Sequence, residues 1–100
     1  MNRLKVIFEI GDGGQTRHTV TGRDAWALLE LHRVGETGCT PIDNPGPRWS
    51  AYVFNLRKLG VAIATVNESH KGPFPGSHAR YVLQSPIRIV SVTGGERAAA

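Results

Sequence analysis

Apolar and polar residues alternate along the first part of the chain, which is the pattern of a half-buried β-strand. Every second position of residues 4–10 is apolar: Leu4, Val6, Phe8 and Ile10. A glycine-rich turn follows at residues 11–14, and residues 15–20 are β-branched and polar. This order predicts a β-hairpin at the start of the chain.

The apolar spacing then becomes helical. Thr21 and Asp24 are placed as a short capping box, and the charge of Asp24 suits the helix N-terminus. Gly35 predicts the end of this first helix. The positions expected to be buried are Ala25, Leu28, Leu29 and Leu31, with Trp26 beside them.

Residues 35–46 contain two prolines and three glycines, which exclude a long helix. Thr40 and Asp43 still have the spacing to cap one short turn around Pro41 and Ile42. The predicted order is a helix, a brief helical turn and a longer helix. This is the order of a helix-turn-helix motif with a proline-rich middle element.

The clearest amphipathic helix lies in residues 47–60. Pro47 suits a first helical turn, and Gly60 suits the position just beyond a helix end. The predicted buried face carries Trp49, Val53 and Leu56, with Tyr52 and Leu59 at its margins, and we expect Trp49 and Tyr52 to belong to the core. The opposite face carries Arg48, Ser50, Ala51, Asn55 and Lys58, with Arg57 at its edge and no acid. Such a helix fits the major groove of B-DNA, so we predict a recognition helix over residues 47–59.

A β-wing is predicted after this helix. Residues 61–66 and 80–83 read as strands, and residues 67–78 between them are expected to form an irregular loop because two prolines and two glycines break it. A basic wing beside a recognition helix contacts phosphates or a minor groove. Residues 87–92 predict a last strand that joins the N-terminal hairpin, and residues 94–100 a flexible tail.

The basic charge is concentrated on these same segments. The net charge is +4 and the sequence pI about 9.8. Residues 46–80 contain five basic residues and one acid, whereas the rest of the chain is balanced. A basic helix and wing favour nucleic-acid binding, and a chance excess of four charges is the alternative.

Catalysis and metal binding find little support in the residue pattern. The four histidines lack metal-ligand spacing, the acids are scattered, and no nucleophile motif is present. Cys39 is the single cysteine, which excludes an internal disulfide and fits a reducing cytoplasm. Its side chain is expected to be buried and inert. No signal peptide or membrane span is evident. We therefore expect no enzyme activity, cofactor, metal, membrane or small-molecule substrate.

Two motifs make residues 21–84 similar to small bacterial and phage-type winged-helix domains. Leu56-Arg57-Lys58-Leu59-Gly60, followed by Ile63 and Thr65, resembles the L-R-K-x-G-x-x-I-x-T segment at the end of their recognition helix. The stretch from Gly38-Cys39-Thr40 to Arg48, together with Ala51-Tyr52 and the G-x-H-x-R-Y-x-L pattern of residues 76–83, resembles uncharacterised winged-helix proteins. The resemblance implies DNA binding and a regulatory role, although the proline-rich second helix departs from the usual pattern.

The resulting prediction is an α+β winged helix-turn-helix with an additional N-terminal β-hairpin and a C-terminal strand. We assign one domain to residues 1–93: the hairpin at 1–20, the helices and first wing strand at 21–66, the wing at 67–84 and the last strand at 86–92. The predicted DNA-binding residues are Arg48, Ser50, Ala51, Asn55, Arg57, Lys58, His70, Lys71, His78 and Arg80.

The expected function is binding of double-stranded DNA by a cytoplasmic, nucleoid-associated transcriptional regulator or mobile-element accessory factor. Tight binding is expected to need a dimer or a tandem arrangement. The alternative is a protein-interaction module that uses the same helix and wing, with Phe54 and Trp49 as anchors. An RNA-binding role is disfavoured because exposed aromatic residues are few. Phe54 lies off the predicted core face, and its expected partner is the short second helix, a thymine methyl group or another subunit.

Overall fold

The structure, a computed structural model, describes residues 3–11, 16–46, 48–70 and 76–94. Two helices lie between an N-terminal and a C-terminal β-hairpin, and the last strand joins the N-terminal hairpin in a three-stranded sheet. The elements in chain order are β1 (Lys5–Ile10), β2 (Thr16–Thr21), α1 (Gly22–Val34), a single 3-10 turn (Gly35–Thr37), α2 (Trp49–Lys58), β3 (Ile63–His70), β4 (Gly76–Leu83) and β5 (Ile87–Thr93).

The first sheet is antiparallel with the strand order β2-β1-β5. The N-terminal hairpin is confirmed, and so is the expectation that the last strand joins it. Glu9 on the central strand is only 4% exposed, and its carboxylate lies 2.7 Å from a guanidinium nitrogen of both Arg17 and Arg88 on the flanking strands. One buried acid therefore binds all three strands together.

Helix α1 is confirmed, but its predicted capping box is wrong. Thr21 occupies the N-cap position without a side-chain hydrogen bond to the helix. Gly22, at a φ of 66°, turns the chain into the helix, and its N–H donates to the Leu4 carbonyl at 2.8 Å. The hairpin therefore satisfies one of the free N–H groups at the helix start. Asp24 accepts hydrogen bonds from Asn55 instead.

The second sheet is the β3–β4 hairpin, whose strands pair from Ile63↔Leu83 to His70↔Gly76. The expectation of an irregular loop over residues 67–78 is therefore wrong at both ends of that range. Both prolines lie in residues 71–75, outside the described residues, so neither interrupts the ladder. Polar residues such as Asn67 and Ser69 have low strand propensity, and the ladder to β4 compensates for it.

An isolated bridge joins the loop after α1 to this hairpin. Cys39 and Tyr81 each donate an N–H to the other's carbonyl at 2.8 Å. Both side chains are buried in the core, which receives residues from α1, α2 and both sheets. The loop, the helices and the base of the hairpin are thus held in one packed unit.

Gly38, next to the bridge residue Cys39, has a backbone conformation and close surroundings that favour glycine. Its φ is 76°, and an added Cβ would lie 2.8 Å from the Tyr81 carbonyl oxygen. We predict that Gly38→Ala lowers the free energy of unfolding by roughly 3 kcal/mol. Gly35→Ala is the control, because Gly35 also has a positive φ but open space around it. Urea denaturation should show the larger loss for Gly38→Ala, and equal losses would contradict the close-contact explanation.

The buried Glu9 should make stability depend on pH. Hydrogen bonds from Arg17 and Arg88 lower the pKa of Glu9 below 4.5. The ionised form is favoured in the folded state, so the stabilisation is complete above pH 4.5 and is lost as pH falls through the lowered pKa. We predict that Glu9→Gln is less stable than the wild type at pH 7 and that this difference shrinks below pH 4.5. Thermal melts of Glu9→Gln and of the exposed-site control Glu36→Gln over this range would test it; a pH-independent difference would contradict it.

Candidate nucleic-acid interface

Helix α2 has a well-defined end. The N–H of Gly60 donates to the Arg57 carbonyl at 3.0 Å, and that of Val61 to the Leu56 carbonyl at 3.3 Å. With Gly60 at a φ of 101°, this is a Schellman motif, and the buried Val61 and Leu56 supply its apolar contact. The predicted stop at Gly60 is confirmed. The helix begins at Trp49 after the N-cap residue Arg48, and Pro47 lies outside the described residues.

One face of α2 is buried by aromatic packing. Trp49 is 3% exposed, and its ring lies 5.3 Å from that of Trp26 and 6.1 Å from that of Tyr81. The Trp49 indole N–H donates to the Asn44 carbonyl at 2.6 Å. Tyr52 is also buried, so the expected core roles of Trp49 and Tyr52 are confirmed. This packing fixes which face of α2 points outward.

The outward face brings most of the predicted helix residues together. Ala51 and Asn55 are half-buried at one margin of this face. The exposed residues are Arg48, Ser50, Phe54, Arg57 and Lys58. Within the described part of the chain, none of the three cations in this set makes an ion pair with an acid. The outward face is therefore positively charged, with one aromatic ring among the cations.

Two adjacent cations on this face have different surroundings. Arg57 Nη2 donates to the Ile63 carbonyl at 2.6 Å and to the Thr65 hydroxyl at 2.9 Å, which ties the end of α2 to β3. Lys58 Nζ lies 4.9 Å from the centre of the Phe54 ring, a cation–π contact. Arg57 thus positions the helix, whereas Lys58 lies over an exposed ring.

Asn55 faces α1 as well as solvent. Its side-chain amide donates to both carboxylate oxygens of Asp24, at 3.2 and 3.3 Å. The contact joins the margin of α2's outward face to the first turn of α1. Asn55 therefore fixes the distance between the two helices, and its predicted DNA contact remains a prediction.

The β3–β4 hairpin carries an ionic cluster that extends from the middle of its ladder towards its outer end. Arg80 Nε donates to Glu68 at 2.6 Å, and Arg80 Nη1 donates to the Thr37 carbonyl at 2.8 Å. Asp43 lies 4.0 Å from Arg80, and His78 lies 3.3 Å from Glu68. The hydrogen bond from Arg80 lowers the pKa of Glu68 and raises that of Arg80. Arg80 is therefore held within the protein by several partners.

Of the other two predicted wing residues, His70 alone belongs to the described part of this hairpin. His70 is the last residue of β3, and Lys71 lies outside the described residues. The eight-pair ladder places the outer end roughly 25 Å from its base at about 3.3 Å per residue. Its base packs in the core through Ile63 and Tyr81, and the three outermost pairs of the ladder extend beyond Ala79, which still packs against the core.

Comparison with known proteins agrees with this arrangement of two helices and a projecting hairpin. A family model described as "Winged helix domain" matches residues 17–93. The chain belongs to the winged-helix domain family. Winged-helix domains are typically non-catalytic DNA-binding folds. No curated protein and no solved structure matches the chain.

The segment between the helices of this winged-helix domain is a tethered turn. The Asp43 N–H donates to the Thr40 hydroxyl at 2.9 Å, which confirms the predicted cap of a single turn. Asn44 accepts a bond from the Thr40 N–H and donates to Glu30 on α1. Hydrogen bonds from Arg33 and, more weakly, from the Asn44 amide lower the pKa of Glu30. The proline-rich turn thus combines one helical backbone hydrogen bond, from the Asn44 N–H to the Thr40 carbonyl at 2.8 Å, with these side-chain anchors.

The sequence pattern missed residues that position this surface. Side-chain contacts between residues 12 to 31 positions apart join α2 to α1, the loop to α1, and the two strands of the wing. They involve Asp24, Asn44 and Glu68, respectively. Such pairs leave no periodic signal in the sequence. For Phe54 the sequence predicts a position off the core face with three alternative partners, and its 59% exposure places it on the outward face of α2.

The side chain of Cys39 packs in the core of the protein. Cys39 is buried, as expected, and burial raises its pKa to about 11. No group of three or more His, Cys, Asp or Glu residues is placed to hold a metal in the ranges that the structure describes. No helix within those ranges has the length and apolarity needed to cross a membrane.

The difference between Arg57 and Lys58 is testable. We predict that Arg57→Ala lowers the free energy of unfolding by about 1 kcal/mol, because it removes two hydrogen bonds from an exposed charged group. Lys58→Ala should change it by less than about 0.5 kcal/mol, because the cation–π contact is exposed. The two residues have similar helix propensity, so urea denaturation compares them directly. Equal effects would show that Arg57 does not tie α2 to β3.

Proposed function

We propose that this winged-helix domain binds double-stranded DNA, with α2 in the major groove and the β3–β4 wing on the backbone. The observation that carries this proposal is the outward face of α2, where Arg48, Arg57 and Lys58 have no acidic partner among the described residues. Exposed unpaired cations on a rigid helix match the charge of phosphates.

The dimensions of α2 support this mode of binding. Its ten residues span about 15 Å, and its outward face carries short side chains at Ser50 and Ala51 that allow close approach. The major groove is about 12 Å wide and accepts one helix. Arg48 at one end and Lys58 at the other are then placed to contact phosphates on either side of the groove.

The wing supplies the second part of the proposed surface. His70, Lys71 and His78 are proposed to contact the backbone. Arg80 is proposed to act mainly by holding the wing against the loop after α1, because its guanidinium already bonds Glu68 and Thr37. Asn55 is proposed to contact DNA at the margin of α2 while it holds Asp24.

The proposed biological role is regulatory. A domain of this size contacts a short site, so we infer that a dimer or tandem arrangement provides tight specific binding by a bacterial or phage-type transcriptional regulator or mobile-element accessory factor. We propose a cytoplasmic, nucleoid-associated protein without catalytic activity. Selection of bound duplexes from a random pool would yield an enriched motif if the binding is sequence-specific.

The exposed Phe54 favours one second candidate, a protein-interaction module that uses the same helix. An aromatic side chain that is 59% exposed resembles an interface anchor. This candidate predicts partner binding with little salt dependence and no affinity for duplex DNA. The cations that surround Phe54 favour DNA over this alternative.

Salt dependence tests the DNA-binding proposal. We predict that log K for a random-sequence duplex falls linearly with log salt and that Lys58→Ala reduces the slope by about 0.9, the loss of one phosphate contact. Lys5→Ala is the matched control, because Lys5 is exposed on β1 in the other sheet. Fluorescence anisotropy at several salt concentrations gives both slopes.

Three results are possible in this experiment. A reduced slope for Lys58→Ala and an unchanged slope for Lys5→Ala would support the assigned surface. Equal effects of the two substitutions would place the DNA elsewhere on the protein. Absence of duplex binding at low salt would reject the proposed function in favour of the interaction module.

A further inference from the structure

Phe54 lies at the centre of the outward face of α2. Ser50 is one helical turn before it and Lys58 one turn after it, with Ala51 and Arg57 on its two sides. The buried residues of α2 point the other way, so the core does not use the Phe54 ring. The ring is thus the largest apolar group that α2 presents to solvent.

The ring is in contact with its charged neighbour. Lys58 Nζ lies 4.9 Å from the ring centroid, where the cation interacts with the ring face. Ser50 and Ala51 have short side chains, so Phe54 projects beyond them. An exposed apolar tip therefore stands beside cations on a helix that carries no acid.

The charge around Phe54 indicates what this tip contacts. A protein-binding anchor is usually surrounded by further apolar contacts, whereas the neighbours of Phe54 on α2 are cations and small residues. Within the described residues, the other exposed large apolar side chains lie on other elements: Ile42, Val66 and Val92. A polyanion with a localised apolar group fits this face better than an apolar protein surface does.

B-DNA has such an apolar group. Along the base edges of the major groove, the other exposed groups are hydrogen-bond donors and acceptors, and thymine alone adds a 5-methyl group. A phenyl ring over a polar base edge would desolvate that edge without replacing its hydrogen bonds, whereas a ring over a methyl group buries apolar surface on both sides.

We propose that Phe54 contacts the 5-methyl group of a thymine in the major groove and so gives this surface a preference for an A·T pair at that position. The inference rests on the proposed DNA binding and adds to it the base class that one side chain reads. Lys58, which is packed on the ring, binds the adjacent phosphate and fixes the depth at which the ring enters the groove.

The test is to compare duplexes that differ only in the 5-methyl groups of their pyrimidines. The full-length protein is titrated by fluorescence anisotropy, at one salt concentration, with an alternating A·T duplex and with the same duplex carrying deoxyuridine in place of thymidine. We expect about fourfold weaker binding to the uracil duplex, the effect of burying one methyl group. A second pair, a G·C duplex with cytosine or with 5-methylcytosine, should show tighter binding to the methylated form.

Variants then assign the preference to Phe54. Phe54→Ala should bind the two members of each pair equally, and Phe54→Leu, which keeps an apolar tip, should retain the preference. Val92→Ala, which truncates an exposed apolar side chain on β5, should behave as the wild type does. Circular dichroism confirms folding, which we expect because Phe54 lies outside the core.

The outcomes separate this inference from the function on which it rests. Salt-dependent binding of all duplexes with equal affinity for methylated and unmethylated forms would overturn the Phe54 contact and leave DNA binding intact. A preference that persists in Phe54→Ala would overturn it as well. Failure of the wild type to bind any duplex at low salt would reject the proposed function, and this inference with it.

Discussion

The orientation of α2 depends on one side chain, Trp49. Its ring packs against Trp26 of α1, Tyr52 of α2 and Tyr81 of β4, and its indole N–H donates to the carbonyl of Asn44 in the loop. A single residue at the start of α2 therefore contacts the first helix, the loop and the wing. Truncation of a buried Trp costs several kcal/mol in other proteins, and here it would also release the helix from the wing. The exposed face of α2 follows from this packing, because the residues opposite Trp49 must point to solvent.

Among the described residues, some cations pair with an acid and others have no acidic partner. Glu9 holds two arginines across the three-stranded sheet, Glu30 holds one on α1, and Glu68 holds Arg80 on the wing. These pairs stabilise the framework, and their charge is largely compensated. Helix α2 has no acid of its own, so the charge that it presents is uncompensated among the described residues. The same framework that fixes the helix thus leaves a positive charge on its outward face.

Local signals in the sequence predicted the elements well, whereas contacts across the fold escaped them. The alternation of Val6 and Phe8, the helical spacing of Trp49, Val53 and Leu56, and the glycine at position 60 each reflect a local geometric rule, and each was confirmed. The extension of the wing strands through Asn67 and Ser77 was missed, because pairing between strands outweighs the low strand propensity of polar residues. The roles of Asn55 and Arg80 as internal anchors could not be predicted either, since their partners Asp24 and Glu68 are distant in sequence. The sequence therefore predicted which side chains carry charge but not which of them are already engaged.

The proposed function requires duplex DNA to contact the outward face of α2 and the wing. The most direct measurement is the change in backbone amide NMR signals of the isotope-labelled protein as a short duplex is added. DNA binding at this surface predicts that the largest changes fall on residues 48–58 and on the outer halves of β3 and β4, with the β2-β1-β5 sheet little affected. Changes concentrated on that sheet, or no changes at all at low salt, would contradict it.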